Sequence, residues 1–373
     1  MILTELPLAK VLSFHNGKKP PELVDVGYPV FGSNGKIGEA KTYNHENAVI
    51  LGRVGAYCGS VEYCEGKFWA SDNTIVVKAL DGFDAKYLYF NLTNQPLRSY
   101  AGGAAQPLIT HSILKSIKAG YHCYDEQQRI ADILSAYDDL IENNRRRIAL
   151  LEDAARQLYK EWFVRLRFPG HEHVKVIDGV PEGWERKTVG ELCSFLSRGI
   201  TPVYDDEATG WIINQKCIRE FKVNLEPARP QSKAVPEQKL VRRFDVLVNS
   251  TGAGTLGRVA QNFHEIDNLT VDSHVTIVRP GEGVAPVWLG LSLILKEEFI
   301  ATLGRGATNQ TELSKDDIAA INFNIPSSVL LREFENQAAS TTEMIVTLMS
   351  QNAQLAKARD LLLPRLMSGS LAV

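Results

Sequence analysis

The sequence predicts an α+β protein in which two pseudo-symmetric, strand-rich domains are separated by two long helices that pair as an antiparallel coiled coil. Three observations predict it. The chain repeats itself with a period of roughly 200 residues. Each half opens with β-branched runs punctuated by Gly, Pro and Asn, the composition of short strands and turns. Each half closes on a long, narrow apolar stripe at helical spacing. The resulting boundaries are 1–124 for the first strand-rich domain and 125–167 for a central helix. The second strand-rich domain takes 168–326 and a C-terminal helix 327–373.

The repeat rests on three blocks that recur in the same order. An apolar strand running into glycines, Ala48 to Val61 with Gly55 and Gly59, matches Asp245 to Val259 with Gly252 and Gly257. Ser71–Val77 matches Ser273–Arg279. The third block sets Gly102-Gly-Ala-Ala-Gln106-Pro-Leu against Gly306-Ala-Thr-Asn-Gln310-Thr-Glu-Leu.

The helices follow from spacing. From Asp125 to about Arg165, apolar residues recur at three and four: Ile130, Leu134, Tyr137, Ile141, Ile148, Leu151, Ala155, Leu158 and Trp162. No Gly or Pro interrupts the run, so a continuous helix of roughly 40 residues and 60 Å is expected. The C-terminal stripe runs Phe334, Ala338, Thr341, Ile345, Leu348, Asn352, Leu355, Leu362 and Leu366, with Arg359 its one charged intruder. Stripes this narrow suit a coiled-coil seam, with Asn144 and Asn352 as polar residues that set its register. The alternative is that each helix packs on its own strand domain. Arg145–Arg147, flanking the seam, reads as a solvated face.

Composition narrows the function. At 373 residues, with 44% hydrophobic and 23% charged residues, the chain is a multidomain globular protein. No stretch approaches the roughly 18 apolar residues of a membrane span, and no secretory leader is visible, so a cytoplasmic location is expected. Five cysteines without C-x-x-C argue against a zinc ribbon or a disulfide framework. His171 and His173 bracket Glu172 in a hydrophilic connector with no nearby cysteine, and a metal site there is not expected. Net charge is −3, distributed as +2 over 1–124, −1 over 125–167, −4 over 168–325 and 0 over 326–373. Wholesale coating of a nucleic-acid backbone is thereby excluded.

Several strings carry a resemblance to a known family. Tyr28-Pro-Val-Phe-Gly-Ser-Asn-Gly35-Lys-Ile-Gly38 is similar to the glycine-rich opening of target-recognition domains in the specificity subunits of type I restriction–modification systems. Asp125–Leu134 resembles the start of that family's central helix and Ile148–Phe163 its end, while Leu355–Gly369 resembles the end of its C-terminal helix. Two strings depart from the pattern. The second opening, Phe195–Pro202, differs from the first, and Val329–Gln337 copies the first helix start poorly.

The resemblance implies a sequence-specific, non-catalytic subunit that binds double-stranded DNA at a bipartite asymmetric site. The partners it implies are two methyltransferase subunits and translocating nuclease subunits, with no membrane. It implies no cofactor on this chain: S-adenosylmethionine belongs to the methyltransferase partner, ATP and Mg to the nuclease partner. Base edges are read by side chains of fixed donor and acceptor geometry, beside glycines that let the backbone come close. Candidates in the first domain are Ser33, Asn34, Lys36, Arg53, Tyr57 and Gln106. Those in the second are Lys216, Arg219, Arg258, Arg305, Asn309 and Gln310. Gln106 and Gln310 occupy matched positions, so they either read bases or hold the fold. A turn or surface role is the ordinary alternative for the others, because most polar contacts position rather than specify.

Two rival classes weigh less. Gly252-Ala-Gly-Thr-Leu-Gly257 with Asp272 beyond it matches a dinucleotide-binding turn, but the following residues lack a helical apolar face. Neither a P-loop nor the Asn-Pro-Pro-aromatic string of adenine methyltransferases occurs. A coiled-coil scaffold without DNA function explains the helices but not two diverged strand domains with polar glycine loops.

Overall fold

A computed structural model describes residues 3–103, 106–306 and 311–373. The chain divides into two compact units, Met1–Arg145 with Ser350–Val373, and Arg146–Met349. Each unit takes a strand-rich domain together with part of both long helices.

The first unit contains β1 (Thr4–Pro7), β2 (Leu12–Asn16), β3 (Tyr28–Gly32), β4 (Gly35–Ala40), β5 (His45–Gly52), β6 (Val61–Ala70), β7 (Thr74–Ala79) and β8 (Lys118–Tyr121). Its main sheet has the order β2-β7-β5-β6-β3-β4, and β1 pairs with β8 separately. The central strand β5 is apolar on consecutive residues because both its faces are covered. Val49 and Leu51 join Ile75, Val77 and the helix α1 (Ala85–Thr93) in one core. Ala48 and Ile50 pack with Cys64, Phe68 and Val76 in another. Asp84 caps α1 by accepting from Tyr87 N at 2.8 Å. A second helix, α2 (His111–Ser116), is capped by Thr110.

The second unit repeats this plan. A small hairpin, β9 (Val176–Ile177) and β10 (Val180–Pro181), precedes β11 (Glu185–Thr188), α4 (Val189–Leu192), β12 (Cys193–Arg198) and β13 (Gly210–Ile213). A second hairpin, β14 (Ile218–Arg219) and β15 (Lys222–Val223), is followed by β16 (Arg229–Gln231), β17 (Val246–Asn249), β18 (Val259–Gln261), β19 (Leu269–Val271) and β20 (Val275–Pro280). The helices α5 (Pro286–Ile294), α6 (Glu297–Thr302) and α7 (Lys315–Ala319) lead to β21 (Asn322–Ile325). The core sheet β12-β20-β17-β18 has the strand order of β2-β7-β5-β6, and β11–β21 answers β1–β8. The parallel pair β13–β19 answers the parallel pair β3–β6.

The hydrogen-bonded register refines the repeat. The first block holds: Leu51 opposes Ile75 as Val248 opposes Thr276. The second block is out by one residue. Thr74 N bonds Ser71 O, and its counterpart is Val275 N to Asp272 O. Ser71 therefore answers Asp272 rather than Ser273, and Val77 answers Val278 rather than Arg279. In a strand a slip of one exchanges the two faces, so the backbone pairing decides. Gly17 and Gly199 also correspond, and both must be glycine. A Cβ would lie 1.8 Å from Ser71 O at Gly17 and 1.8 Å from Val271 O at Gly199.

The central helix α3 runs Tyr124–Tyr159 and widens into a π turn over Lys160–Val164. The C-terminal helix α8 runs Ser328–Met367. In the first unit Asn144 Nδ2 donates to Asn352 Oδ1 at 3.0 Å, and Arg359 ion-pairs Asp138. In the second, Ile148 packs with Ile345 and Leu348, and Trp162 meets Phe334 at 5.8 Å between ring centroids. In each unit, rising numbers on α3 meet falling numbers on α8, so the helices are antiparallel. The Asp138 partner explains the charged intruder Arg359. Thr342 rather than Thr341 is the buried threonine of the stripe.

Both readings of the stripes hold in part. Ile130, Leu134, Leu363 and Leu366 enter the core of the first unit, and Tyr159, Trp162 and Phe334 that of the second. Between these ends the stripe is a helix–helix seam.

One charged pair lies inside the second unit's sheet. Arg279 on β20 donates to both carboxylate oxygens of Asp245, at 2.9 and 2.7 Å, and to the carbonyls of Gln238 and Leu240. Removing one partner strands a buried charge. Asp245→Ala is expected to cost about 3–5 kcal/mol in urea unfolding. The double change with Arg279→Leu should recover most of that loss, and an additive double mutant would show the pair to be independent.

Candidate nucleic-acid interface

In each unit the loops at one end of the sheet are tied together by backbone bonds from a single segment. In the first unit that segment follows β5. Arg53 N donates to Asn73 O, Arg53 O accepts from Ile109 N, and Gly55 N donates to Pro107 O, all at 2.9–3.0 Å. Val54 and Gly102 both bridge to Leu108. The β3–β4 turn joins through Ser33, whose Oγ donates to Asn73 O at 2.6 Å and accepts from Val54 N at 3.3 Å. Ser60 Oγ donates to Ser33 O at 2.8 Å. The result is an open cleft of about 320 Å³ lined by Pro20, Ser33, Asn34, Tyr57, Asp72 and Asn73, among others.

The second unit builds the same cluster from other side chains. Ser250 N donates to His274 O and Ser250 O accepts from Leu313 N, both at 2.8 Å. Thr251 and Arg305 both bridge to Glu312. Gln215 takes the place of Ser33: its Nε2 donates to Thr251 O at 2.9 Å, while Asn249 Nδ2 donates to Gln215 O at 3.1 Å. Thr251 Oγ1 also meets His274 Nδ1 at 2.8 Å. Burial raises the carboxyl of Asp272 in this cluster, and bonds from His274 N and Val275 N oppose the shift.

The sequence candidates fall into three groups. Asn34, Tyr57, Gln106 and Lys216 are exposed on these loops, with Tyr57 61% accessible. Arg53 is half-buried in the first cluster, and its Nε has no hydrogen-bond partner among the described residues. A second group is engaged within the chain. Lys36 pairs with Glu39 at 2.7 Å, and that hydrogen bond holds the Glu39 carboxyl below its usual value. Arg258 donates to Gly254 O at 2.9 Å. Arg305 pairs with Asp317 at 2.8 Å, and Arg219 with Glu220 at 3.4 Å. Ser33 is a loop tie. For these residues a new contact would replace an existing one. Asn309 and Gln310 lie outside the described residues.

Sequence reasoning passed over Asn73, Gln215 and His274. Their signal was positional, since Asn73 and His274 occupy matched turns once the register is corrected by one residue.

The rival sites lack their contexts. Gly257 and Arg258 lead into the strand β18 and not into a helix, so the strand–turn–helix context of a dinucleotide site is not met. Among the described residues no group of three or more His, Cys, Asp or Glu side chains could hold a metal ion. Among them, too, no helix is long and apolar enough to cross a membrane.

The Ser33 hydroxyl joins two backbone groups at once, and its loss leaves the Val54 amide to find another partner while Asn73 O keeps the Arg53 amide. Ser33→Ala should lower the stability of the first unit by about 1–2 kcal/mol in urea unfolding. An unchanged midpoint would show that water replaces both bonds.

Comparison with known proteins bears on what these loops serve. Residues 6–153 match the family model described as the type I restriction modification DNA specificity domain. The chain is similar to the type I restriction enzyme MjaIX specificity subunit of Methanocaldococcus jannaschii, 28% identical over 79% of this chain and 70% of that one. It is similar to the HindI specificity subunit of Haemophilus influenzae, 24% identical over 71% of each. The EcoprrI specificity subunit of Escherichia coli is 34% identical over 30% of this chain and 28% of its own length. A crystal structure of the type I restriction–modification S subunit from M. genitalium shares the fold, with a TM-score of 0.59, 18% identity and coverage of 98% and 96%. With residues 6–153 matching the DNA specificity domain, related specificity subunits aligned over most of the chain and the fold shared from end to end, the chain is similar along its length to the specificity subunits of type I restriction–modification systems, the non-catalytic subunits that recognise DNA.

Proposed function

We propose that each unit reads one half of a bipartite asymmetric DNA site through its own loop cluster. The observation that carries this reading is the duplication itself: one backbone scaffold, built twice, presents different side chains at its loops. Asn34, Tyr57 and Gln106 in one cluster face the same task as Lys216 and His274 in the other. Amide and guanidinium groups on loops suit the major groove, where every base pair shows a distinct donor and acceptor pattern. The helices α3 and α8, each of which runs through both units, set the unread spacer between the half-sites. Two methyltransferase subunits dock on this chain and methylate adenine with S-adenosylmethionine, and nuclease subunits using ATP and Mg complete the complex. Pseudo-twofold repetition lets identical partners bind one asymmetric chain. Partners also supply phosphate contacts that a chain of net charge −3 makes sparingly. The chain acts in the cytoplasm, where its DNA is.

The test is to co-express the chain with its neighbouring methyltransferase and map methylated adenines across a host genome. A single motif with two short halves and a fixed gap, absent without this chain, is the expected result. Scattered or absent methylation from a soluble complex would overturn the reading.

Side chains can then be assigned to half-sites. Arg53→Ala or Gln106→Ala should relax one half of the motif, and Lys216→Ala the other. A uniform loss across all sequences would make these residues backbone contacts rather than base readers.

A further inference from the structure

Beside the first unit's cleft lies a group of basic side chains that the reading loops do not use. The chain leaves β2 at Asn16 and turns at Gly17, whose N donates to Thr74 O. Lys18 N then donates to Ala70 O, and Pro20 reaches the cleft wall beside Asp72 and Asn73. Lys18 is exposed immediately next to the reading cleft. Behind it on β2 stands His15, also exposed, with its ring centroid 6.1 Å from that of His45. On the neighbouring strand Ser13 opposes Lys78 and His15 opposes Val76, so His15 and Lys78 are diagonal neighbours on one face.

The surroundings of this face are cationic. Burial lowers the pKa of His45; the Asn16 backbone opposes that shift, and the charges of His15, Lys78 and Lys18 add to it. No ion pair engages Lys18 or Lys78 among the described residues, whereas Lys36, Arg305 and Arg359 each have a carboxylate. Like charges without a carboxylate partner oppose folding, and a polyanion is the ligand class that relieves them.

The duplicated scaffold gives a built-in comparison. By backbone register, His15 answers Ser197 and Lys78 answers Arg279, which is buried against Asp245. The same place in the second sheet is therefore neutralised from within, and in the first it is left open.

We propose that Lys18, His15, His45 and Lys78 form a phosphate-contact strip, specific to the first unit, that grips the DNA backbone flanking the half-site read by the adjacent cleft. This inference rests on the DNA-reading role proposed above and adds where the backbone runs. The strip carries no sequence information, so its removal weakens all duplexes alike.

The experiment uses the full chain in its methyltransferase complex and a 40-base-pair duplex of mixed sequence, with binding measured as a function of salt. For Lys18→Ala/Lys78→Ala the affinity should fall on the order of tenfold at 0.1 M salt. The log–log salt slope should shrink by about 0.9 for each phosphate that is no longer neutralised, while the methylated motif stays the same. The paired arginine variant should restore the slope, and an unchanged thermal melt controls for folding. A double alanine variant with the wild-type slope overturns the strip, even where the methylation map upholds the two-half-site reading. Loss of one half-site with the slope intact would place these residues in base reading and equally overturn the proposal. A failed methylation map with a reduced slope would sink the two-half-site reading and leave the strip standing.

Discussion

The backbone segment just after each central strand dictates most of what lies around it. In one unit Arg53 and in the other Ser250 donates an amide to one loop and offers its carbonyl to another. Neither bond depends on the side chain present, which is why an arginine and a serine do the same structural work. The adjacent residues, Val54 and Thr251, then pin the returning loop at Leu108 and Glu312. Four loops are thus held by main-chain atoms beneath a surface of side chains that owe the fold little. A protein that must keep its architecture while changing what it recognises gains from that separation, since loop substitutions there leave the ladder intact.

What was legible in the sequence follows from the same physics. The long helices were readable because a stripe without Gly or Pro admits one continuous solution, and α3 begins one residue from its expected start. The apolar run Ala48–Leu51 marked a strand covered on both faces, and two separate cores cover it. The repeat was readable in order, but its second block was not readable in register, because Ser-x-x-Thr at 71 and the similar string at 273 align better by letter than by hydrogen bond. The polar residues were hardest. Whether a lysine is free or paired depends on an acid brought close by folding, such as Glu39 for Lys36 or Asp317 for Arg305. Local spacing hints at the first of these and gives no hint of the ion pair between Arg243 and Glu343. Ser33 shows the same limit, since its two partners, Val54 and Asn73, are remote in sequence.

The stripes illustrate how one pattern serves two structural roles. A residue spaced for a coiled-coil seam is spaced equally well to lie on a sheet, and the sequence alone does not say where one role passes to the other. Asn144 and Asn352 mark the seam, because an amide pair at that position is satisfied only by its own counterpart. Apolar residues would tolerate a shifted register there, and the amides do not. The aromatic cluster of Tyr159, Trp162, Phe163 and Phe334 marks the other role, where large rings fill a globular core.

Charge shows best how a duplicated scaffold diverges. Lys78 and Arg279 occupy the same register position on equivalent strands. In the second unit an acid at the base of the central strand, Asp245, draws the cation inward, where four hydrogen bonds absorb it. The residue matching Asp245 in the first unit is Ala48, which packs in an apolar cluster and offers the cation nothing. One aliphatic residue in place of one carboxylate therefore leaves the positive charge at this position without an internal partner. Net charge cannot register such a change, because what an approaching polyanion meets is the unpaired cations on the face it touches and not the total.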